Sequence, residues 1–369
     1  MLDGVLDGRE APLVPMPAAD PRVCELLTAA LRVGDEIDDD VALVMSTSGT
    51  TGTPKGAMLT PAALIASASA SHDRLGGPGT WLLALPSYHI AGMQVLVRSA
   101  LAGTVPVELD ISAGFDVGEL PTAVAQLGGG RRYASLVAPQ LAKALTDRRA
   151  MHALAELDAV LLGGGPAPQS VLEGAAAADI TVVKSYGSSE TAGGCVYDGA
   201  PLNDVLIRLD HGGGSAAGRI HIGGPTLAKG YRNPPEPDPF AEPGWFRTDD
   251  VGVLEDSGRL RVLGRVDDAI QTGGLTVMPA LVEAALVGHP AVAECAVFGV
   301  EDERLGQRVV AAVVLAPGAA APSVHDIKDF VALSLDATAT PRELHIVDEL
   351  PRLGIGKLDR AALSRRVRN

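Results

Sequence analysis

Hydroxyl groups and glycines surround one lysine near the start of the chain. Residues 46–56 are Ser-Thr-Ser-Gly-Thr-Thr-Gly-Thr-Pro-Lys-Gly, between an apolar run and a predicted helix start. Glycines let a backbone approach a phosphate, hydroxyl and N–H groups donate to its oxygens, and the ammonium of Lys55 neutralises charge. The run does not match the Walker A pattern, GxxxxGK followed by Ser or Thr, so it does not indicate a Walker-type NTPase. A flexible linker rarely lies between a buried strand and a capped helix, so we predict a phosphate-binding loop.

Further polar motifs follow this loop in the chain. They are Gly163-Gly164-Gly165-Pro166, Tyr186-Gly187-Ser188-Ser189-Glu190, residues 244–252 (GWFRTDDVG), residues 264–274 (GRVDDAIQTGG) and residues 351–360 (PRLGIGKLDR). Together with the phosphate loop they resemble, in order, the motifs of the adenylate-forming superfamily, which contains acyl- and aryl-CoA synthetases, luciferases and carrier-protein adenylation domains. Each motif alone is weak to moderate evidence, but the ordered set spans residues 41–360 and is specific.

The resemblance implies a nucleotide site. Glu190 would hold Mg²⁺, since a hard cation prefers carboxylate oxygen beside phosphates. Asp250 would accept hydrogen bonds from the ribose hydroxyls, and Lys357 would bridge the substrate carboxylate and the α-phosphate. The residues implied to contact ATP or AMP are Thr47, Ser48, Gly49, Thr50, Thr51, Gly52, Lys55, Gly164, Gly165, Tyr186, Gly187, Ser189, Asp250 and Arg265. Taken alone, Glu190 fits a solvated loop acid and Lys357 a surface lysine.

The segment 264–274 resembles the superfamily's interdomain hinge. Asp267 takes the pivot position, and Gly273 and Gly274 would line the path by which CoA approaches. A charged surface loop is the alternative. The chain departs from the family pattern at Asp249, where glycine is usual, and at Arg219, where glutamate is frequent. It also has only about forty residues before the phosphate loop, so part of the usual N-terminal subdomain is expected to be missing.

An acyl-binding region is indicated after residue 86. His89 lies on the loop that gates the acyl pocket in the superfamily, and we count it with Lys357 and Glu190 as catalytic. Arg98 follows in an apolar helix, where an arginine either pairs with a buried carboxylate or extends to an edge of the helix. This spacing resembles that of the o-succinylbenzoate–CoA ligases of menaquinone biosynthesis. The Gly193-Gly194 pair, which would form a flat surface beneath an aromatic ring, resembles the same subfamily.

The implied reaction is an ATP-dependent acid–CoA ligation. The acid and MgATP would give an acyl-adenylate and pyrophosphate, and CoA would then displace AMP, so ATP, Mg²⁺ and CoA are the expected cofactors. The alternatives are another aryl- or acyl-CoA ligase and a stand-alone adenylation enzyme that loads a carrier-protein thiol. A non-enzymatic nucleotide sensor would instead bind nucleotide without releasing pyrophosphate.

Alternating apolar runs and Ala-rich stretches predict an α/β fold. We expect a large N-terminal domain with mostly parallel sheets and a small antiparallel unit, plus a smaller mobile α+β C-terminal domain. The expected boundaries are 1–264, a hinge at 265–268, and 269–369. Strands are predicted at 41–45, 81–85, 105–109, 133–137, 159–162 and 181–183 in the first domain. Helices are predicted to start at Pro61, behind an N-cap at Thr60, and at Pro139 and Pro168.

Composition narrows the class of partner. The 369 residues carry a formal net charge of −15, which disfavours nucleic acid and anionic membranes. The three cysteines, Cys24, Cys195 and Cys295, lack the spacing of a zinc site or a disulfide framework. The acidic N-terminus does not resemble a secretory signal, and the hydrophobic runs are too short to span a membrane. We therefore expect a cytoplasmic enzyme with small-molecule partners, for which a homodimer is one of the open oligomeric states.

Overall fold

A computed structural model describes residues 2–47, 53–211, 217–353 and 357–368, with Leu353, Lys357 and Arg368 described by their backbone alone. The α-helices of this part of the chain are α1 (Leu2–Leu6), α2 (Pro21–Ala30), α3 (Pro61–Leu75), α4 (Ile90–Ala102), α5 (Leu120–Ala125), α6 (Ala138–Ala144), α7 (Arg148–Ala155), α8 (Gln169–Ala177), α9 (Pro279–Val287), α10 (Val324–Ala332) and α11 (Arg360–Arg368).

The strands of the same residues are β1 (Leu43–Thr47), β2 (Lys55–Leu59), β3 (Thr80–Leu83), β4 (Val107–Glu108), β5 (Arg132–Val137), β6 (Ala159–Gly163), β7 (Val182–Ser188), β8 (Gly193–Tyr197), β9 (Ala200–Pro201), β10 (Leu206–Asp210), β11 (Gly218–Gly223), β12 (Gly230–Tyr231), β13 (Trp245–Leu254), β14 (Leu260–Arg265), β15 (Ile270–Thr272), β16 (Leu275–Val277), β17 (Val292–Asp302), β18 (Gly306–Leu315), β19 (Glu343–Ile346), β20 (Arg352–Leu353) and β21 (Lys357–Leu358).

The proline-based helix starts have three different outcomes. Helix α3 begins at Pro61 as predicted, and the Thr60 hydroxyl accepts a hydrogen bond from the Ala63 N–H at 3.1 Å. Helix α6 begins one residue before Pro139, and α8 begins one residue after Pro168. Proline fixes its own φ but leaves the neighbouring residues to decide where the first turn forms, so it marks a helix start only to within a residue.

A seven-stranded sheet carries most of the first half of the chain. Its strand order is β4-β3-β5-β6-β7-β8-β9. The pairs from β4 to β7 are parallel, and β8 and β9 are added antiparallel. The predicted α/β class with a mostly parallel sheet is confirmed. Because β3, β5, β6 and β7 are parallel, the loops after them leave the same edge of the sheet, where ligands of α/β folds bind.

The strand that precedes the phosphate loop is not part of this sheet. It forms an antiparallel hairpin with β2, and β12 pairs antiparallel with the other edge of β2. The prediction that it belongs with the parallel strands was therefore wrong. The segment after it returns as β2 within a few residues, which permits a hairpin but is too short for the crossover that a parallel pair needs.

The two faces of the seven-stranded sheet bury different residues. Alternate side chains such as Leu82, Ala134 and Val160 pack against helices α5, α6, α7 and α8 in one apolar cluster. The residues between them, such as Trp81 and Tyr133, point to the opposite face and are fully buried. This is the period of two that strands impose, and it places α4 and its arginine against the second face.

The later part of the chain builds a five-stranded sheet. Its order is β16-β15-β18-β17, with β19 added parallel to β18, and α9, α10 and α11 pack with it. A separate four-stranded sheet has the order β10-β11-β13-β14. By internal contacts the chain divides into two units: Met1–Arg208, His221–Thr248 and Glu255–Leu260 form the first, and Leu209–Ile220, Asp249–Leu254 and Arg261–Asn369 form the second. Across the described residues, every helix is too short or too polar to cross a bilayer.

Candidate active site

Glu190 lies in a buried turn at the end of β7. The turn, Ser189–Thr191, is a single 3₁₀ turn, and Glu190 is only 7% exposed. The Tyr231 hydroxyl donates a hydrogen bond to Glu190 Oε1 at 2.5 Å, and the Ala228 N–H donates to the Glu190 carbonyl oxygen at 2.8 Å. The alternative of a solvated loop acid is therefore wrong. A buried carboxylate held by a hydroxyl is suited to a fixed ligand or charge.

Lys55 lies beside the same tyrosine. It begins β2, where it pairs in register with Thr47 of β1, and its Nζ lies 4.9 Å from the centre of the Tyr231 ring. The Thr47 hydroxyl is buried and makes no hydrogen bond to any other residue that the structure describes. Lys55, Tyr231 and Glu190 therefore form one cluster. The predicted contacts Ser48, Gly49, Thr50, Thr51 and Gly52 lie outside the described residues.

The sequence analysis missed Tyr231. Strand β12 places it, because Gly230 pairs with Met58 and Tyr231 with Ala57, which fixes the tyrosine beside the middle of β2. The available signal was a Gly-Tyr pair within a polar stretch, which is common and carries little information alone.

Glycines within β7 and β8 allow close backbone approach, and two further glycines follow β6. Gly187 has φ +158°, and a side chain there would overlap the carbonyl oxygen of Gly193. A Cβ on Gly194 would overlap the Ser185 hydroxyl. Gly164 (φ +83°) and Gly165 (φ +157°) follow β6 at the same edge of the sheet. The predicted sites Tyr186, Gly187 and Ser189 therefore lie along one strand and its turn, with Gly193 and Gly194 on the neighbouring strand β8.

His89 stands at the first residue before α4. Its ring centre is 4.7 Å from that of Tyr88, and its side chain makes no capping hydrogen bond. Burial lowers the pKa of His89, which favours the neutral imidazole. Gly92 allows the first turn of α4 to approach closely, because a Cβ there would overlap the Pro86 carbonyl oxygen. The histidine is therefore fixed at the helix start.

Arg98 is buried on the inner face of α4 and is 4% exposed. The structure contradicts an edge position for this arginine. Its guanidinium carbon lies 3.8 Å from the centre of the Trp81 ring, and its Nη2 donates to the Ser135 hydroxyl at 3.2 Å. Burial lowers the pKa of Arg98, and the nearby Tyr197 phenol opposes that shift. Within the described residues Arg98 Nε has no hydrogen-bond partner and no carboxylate pairs with the group.

The face of α4 that carries Arg98 also contacts the predicted floor of the pocket. Gln94, one turn earlier, donates to the Ala192 carbonyl oxygen at 2.7 Å, and a Cβ on Gly193 would lie 3.0 Å from Gln94 Cγ. Residues 94 and 98 are four apart and share one side of the helix. Arg98 and the contact with the start of β8 therefore lie on the same face of α4.

A second predicted group converges within the second unit. Arg265 Nη2 lies 3.2 Å from Asp249 Oδ2 and 3.3 Å from Asp267 Oδ2, and its Nη1 lies 3.9 Å from Asp250 Oδ1. Asp249 also accepts from Arg219. The predicted ribose acid, the ribose arginine and the hinge aspartate therefore form one charged cluster, and sequence analysis missed Arg219 and Asp249 as members.

The other predicted residues of the second unit lie in a glycine turn and in a short two-stranded ladder. Gly273 (φ +58°) and Gly274 (φ +82°) form the turn between β15 and β16, where the Gly273 N–H donates to the Leu305 carbonyl oxygen at 2.8 Å. The backbone of Lys357 pairs with that of Leu353 in the short ladder of β20 and β21, and its side chain lies outside the described residues.

The donor set around Glu190 fits a magnesium ion shared with a nucleotide. The described residues contain no group of three or more His, Cys, Asp or Glu side chains that could hold a metal ion. Mg²⁺ is usually held by one or two carboxylates together with substrate phosphates and water. A single fixed carboxylate close to Lys55 meets that requirement.

Comparison with known proteins assigns the family. The family model of the AMP-binding enzyme matches residues 16–232, and that of the AMP-binding enzyme C-terminal domain matches residues 281–357. The chain belongs to the AMP-binding enzyme family. Membership in the adenylate-forming superfamily, predicted from the ordered motifs, is confirmed.

Two relatives within this family carry the same activity in their names. The chain is 66% identical over 367 residues to a "Probable 2-succinylbenzoate--CoA ligase" of Mycobacterium tuberculosis (strain H37Rv). This match covers 99% of the chain and 94% of the relative. It is 37% identical over 346 residues to the 2-succinylbenzoate–CoA ligase of Geobacillus kaustophilus (strain HTA426). This match covers 89% of the chain and 69% of the relative.

Solved structures of the family superpose well on the chain. The o-succinylbenzoate CoA synthetase (MenE) of Bacillus subtilis in complex with the acyl-adenylate OSB-AMP has a TM-score of 0.73 and 32% identity, over 88% of this chain and 69% of that one. The amide bond synthetase McbA of Marinactinospora thermotolerans has a TM-score of 0.79 but 26% identity, over 90% and 70%. Backbone similarity therefore does not distinguish the acceptor, whereas sequence identity favours the CoA ligases.

Proposed function

We propose that this AMP-binding enzyme is a 2-succinylbenzoate–CoA ligase that acts through an acyl-adenylate. The identity of 66% to the mycobacterial relative, over almost the full length of both chains, carries the proposal. In the first step a carboxylate oxygen of the acid attacks the α-phosphorus of ATP and pyrophosphate leaves. In the second step the CoA sulfur attacks the acyl carbon and AMP leaves.

We assign the first step to the Lys55–Tyr231–Glu190 cluster and to Lys357. Lys55 would neutralise phosphate charge, and Tyr231 would hold the Glu190 carboxylate in place. Mg²⁺, when bound through Glu190, would offset charge on the phosphates. Asp250 and Arg265 would bind the ribose. Because binding and orientation supply much of the rate in phosphoryl chemistry, fixed side chains matter more here than proton transfer.

We assign the recognition of the acid to Arg98. The activated succinyl carboxylate is consumed, so the aromatic carboxylate stays an anion that must be bound in a protein of net charge −15. Among the described residues the buried Arg98 Nε has no hydrogen-bond partner, and Arg98 shares a helix face with the Gly193 contact, which supports this role. A carboxylate can accept two parallel hydrogen bonds from such a group.

The proposal includes a cytoplasmic enzyme with small-molecule partners. The three cysteines, Cys24, Cys195 and Cys295, are unpaired thiols, as expected in a reducing compartment, and ATP and CoA are abundant there. A homodimer is part of the proposal, and sedimentation of the purified chain tests it.

Pyrophosphate release tests the activity. The purified protein is supplied with MgATP and a panel of acids that contains 2-succinylbenzoate, benzoate, a fatty acid and malonate. We expect 2-succinylbenzoate to give the highest kcat/KM, and mass spectrometry to detect its CoA thioester. Another preferred acid would overturn the substrate assignment. If the adenylate forms but transfers only to a carrier protein or to an amine, the CoA assignment is wrong. Nucleotide binding without pyrophosphate release from any acid would favour a sensor.

A further inference from the structure

The carboxamide of Asn233 holds the backbone on both sides of Lys55. Asn233 Nδ2 donates to the Pro54 carbonyl oxygen at 2.8 Å, and Asn233 Oδ1 accepts from the Gly56 N–H at 3.1 Å. The side chain is therefore bonded to the residue before Lys55 and to the residue after it. An amide is suited to this because it presents a donor and an acceptor at once.

The segment that carries Asn233 is itself fixed. The Arg232 N–H donates to the Gly56 carbonyl oxygen at 2.7 Å, which continues the pairing of β12 with β2. The Arg232 guanidinium donates to backbone carbonyl oxygens of the N-terminal segment, including those of Leu31 and Asp35. Residues 230–233 therefore form a rigid support on which the start of β2 rests.

The same support fixes the two charged groups of the candidate site. The Tyr231 ring lies under the Lys55 ammonium, and the Tyr231 hydroxyl donates to Glu190. A lysine side chain has four rotatable bonds and loses much conformational freedom when it is held at a ligand. Fixing its backbone and offering an aromatic face reduces the remaining freedom before ATP arrives.

We propose that Asn233 is a positioning residue for ATP. Its carboxamide holds residues 54–56 so that Lys55 points over Tyr231 toward the nucleotide phosphates. This inference rests on the proposed function only in so far as Lys55 binds ATP, and it does not depend on the identity of the acid. A purely structural role would stabilise the hairpin of β1 and β2 without affecting ATP more than the acid.

A double-mutant cycle tests the proposal. The variants are Asn233→Ala, Lys55→Ala and the double variant, with Asn203→Ala as a matched control that removes one exposed side-chain hydrogen bond to Asp73. The Kd of ATP is measured by calorimetry, and the KM values of ATP and of the acid by pyrophosphate release. We expect Asn233→Ala to raise the Kd and KM for ATP about tenfold, from the loss of two hydrogen bonds, with the KM of the acid unchanged. The double variant should bind ATP no more weakly than Lys55→Ala.

Two results would overturn the proposal. One is an unchanged Kd for ATP in Asn233→Ala together with a lower melting temperature. The other is a double variant in which the Kd of ATP rises by the product of the factors found for the two single variants. Should Asn233→Ala fail to fold, Asn233→Asp takes its place under the same criteria, because it keeps an acceptor for the Gly56 N–H. A wild-type protein that binds ATP but turns over no acid would refute the proposed activity while leaving this cycle measurable.

Discussion

Arg219 Nη2 donates directly to Asp249 Oδ1, and Asp249 Oδ2 accepts from Arg265. Arg219 and Asp249 occupy two of the positions at which the motifs of this chain are expected to depart from the family pattern, with glutamate and glycine as the usual residues. The departures are therefore in contact with each other. An arginine in place of glutamate is matched by an aspartate in place of glycine, so the positive charge of Arg219 lies against a negative charge.

The pair makes a prediction about stability. Arg219→Glu places two carboxylates opposite each other and should lower the free energy of unfolding by about 1 kcal/mol, since partly exposed ion pairs contribute little more. Adding Asp249→Gly removes the repulsion and should restore most of the loss. Urea unfolding of the single and double variants measures both effects. If Asp249→Gly fails to rescue Arg219→Glu, the contact does not account for the two departures.

Arg98→Ala should weaken binding of 2-succinylbenzoate. An unpaired buried carboxylate costs roughly 3 kcal/mol, so we expect the KM for this acid to rise about 100-fold or more while the KM for ATP changes little. Arg98→Lys should recover part of the loss, because an ammonium keeps the charge but not the two parallel hydrogen bonds. An analogue without the aromatic carboxylate is the control and should be nearly insensitive. Equal losses for both acids would point to a packing role beside Trp81.

Lys357→Ala should block adenylation and spare thioester formation. Removing a positioned cation from developing phosphoryl charge should reduce the rate of acyl-adenylate formation about 10²- to 10³-fold. The second step is measured separately by supplying the pre-formed acyl-adenylate and CoA. A similar collapse of both steps would show that Lys357 is not specific to the first.

Asp267→Pro should spare adenylation and block thioester formation, the reverse of the effect expected for Lys357→Ala. Asp267 lies in the 3₁₀ turn Val266–Asp268 after β14, and a proline there fixes φ near −65° and restricts Val266. If this turn is the pivot, acyl-adenylate should form and accumulate while CoA transfer is lost. Asp267→Ala is the matched control, because it removes the ion pair with Arg265 without fixing the backbone. Equal loss in the proline and alanine variants would assign the effect to the ion pair.

His72 should make the protein sensitive to acid. Burial, and then the charge of Arg98, lower the pKa of His72 below its usual value of 6.5. The unfolded chain therefore binds more protons than the folded chain as the pH falls through 6.5, so this contribution to stability is present above that pH and is lost below it. Urea unfolding between pH 7.5 and 5 should show a smaller decrease for His72→Gln than for the wild type. The exposed His152→Gln is the control, and an identical decrease in His72→Gln would contradict the prediction.

The sequence alone determined the parts of this protein that depend on local chemistry. The phosphate loop, the acid of the Glu190 turn and the order of the motifs assigned the superfamily, because each places its residue types within ten or so positions. The start of α3 was predictable for the same reason, since Thr60 caps the helix with its own side chain and Pro61 fits the first turn. The mostly parallel sheet followed from the alternation of strands and helices.

Tertiary structure alone decided which distant residues meet. Tyr231 reaches Glu190 across 41 residues, and Asn233 reaches Gly56 across 177. Neither contact has a local signal, because each depends on the register of β12 against β2, which only the folded sheet sets. The environment of Arg98 was open for the same reason. A guanidinium in an apolar helix can lie at an edge or inside, and the packing of α4 over Trp81 placed it inside.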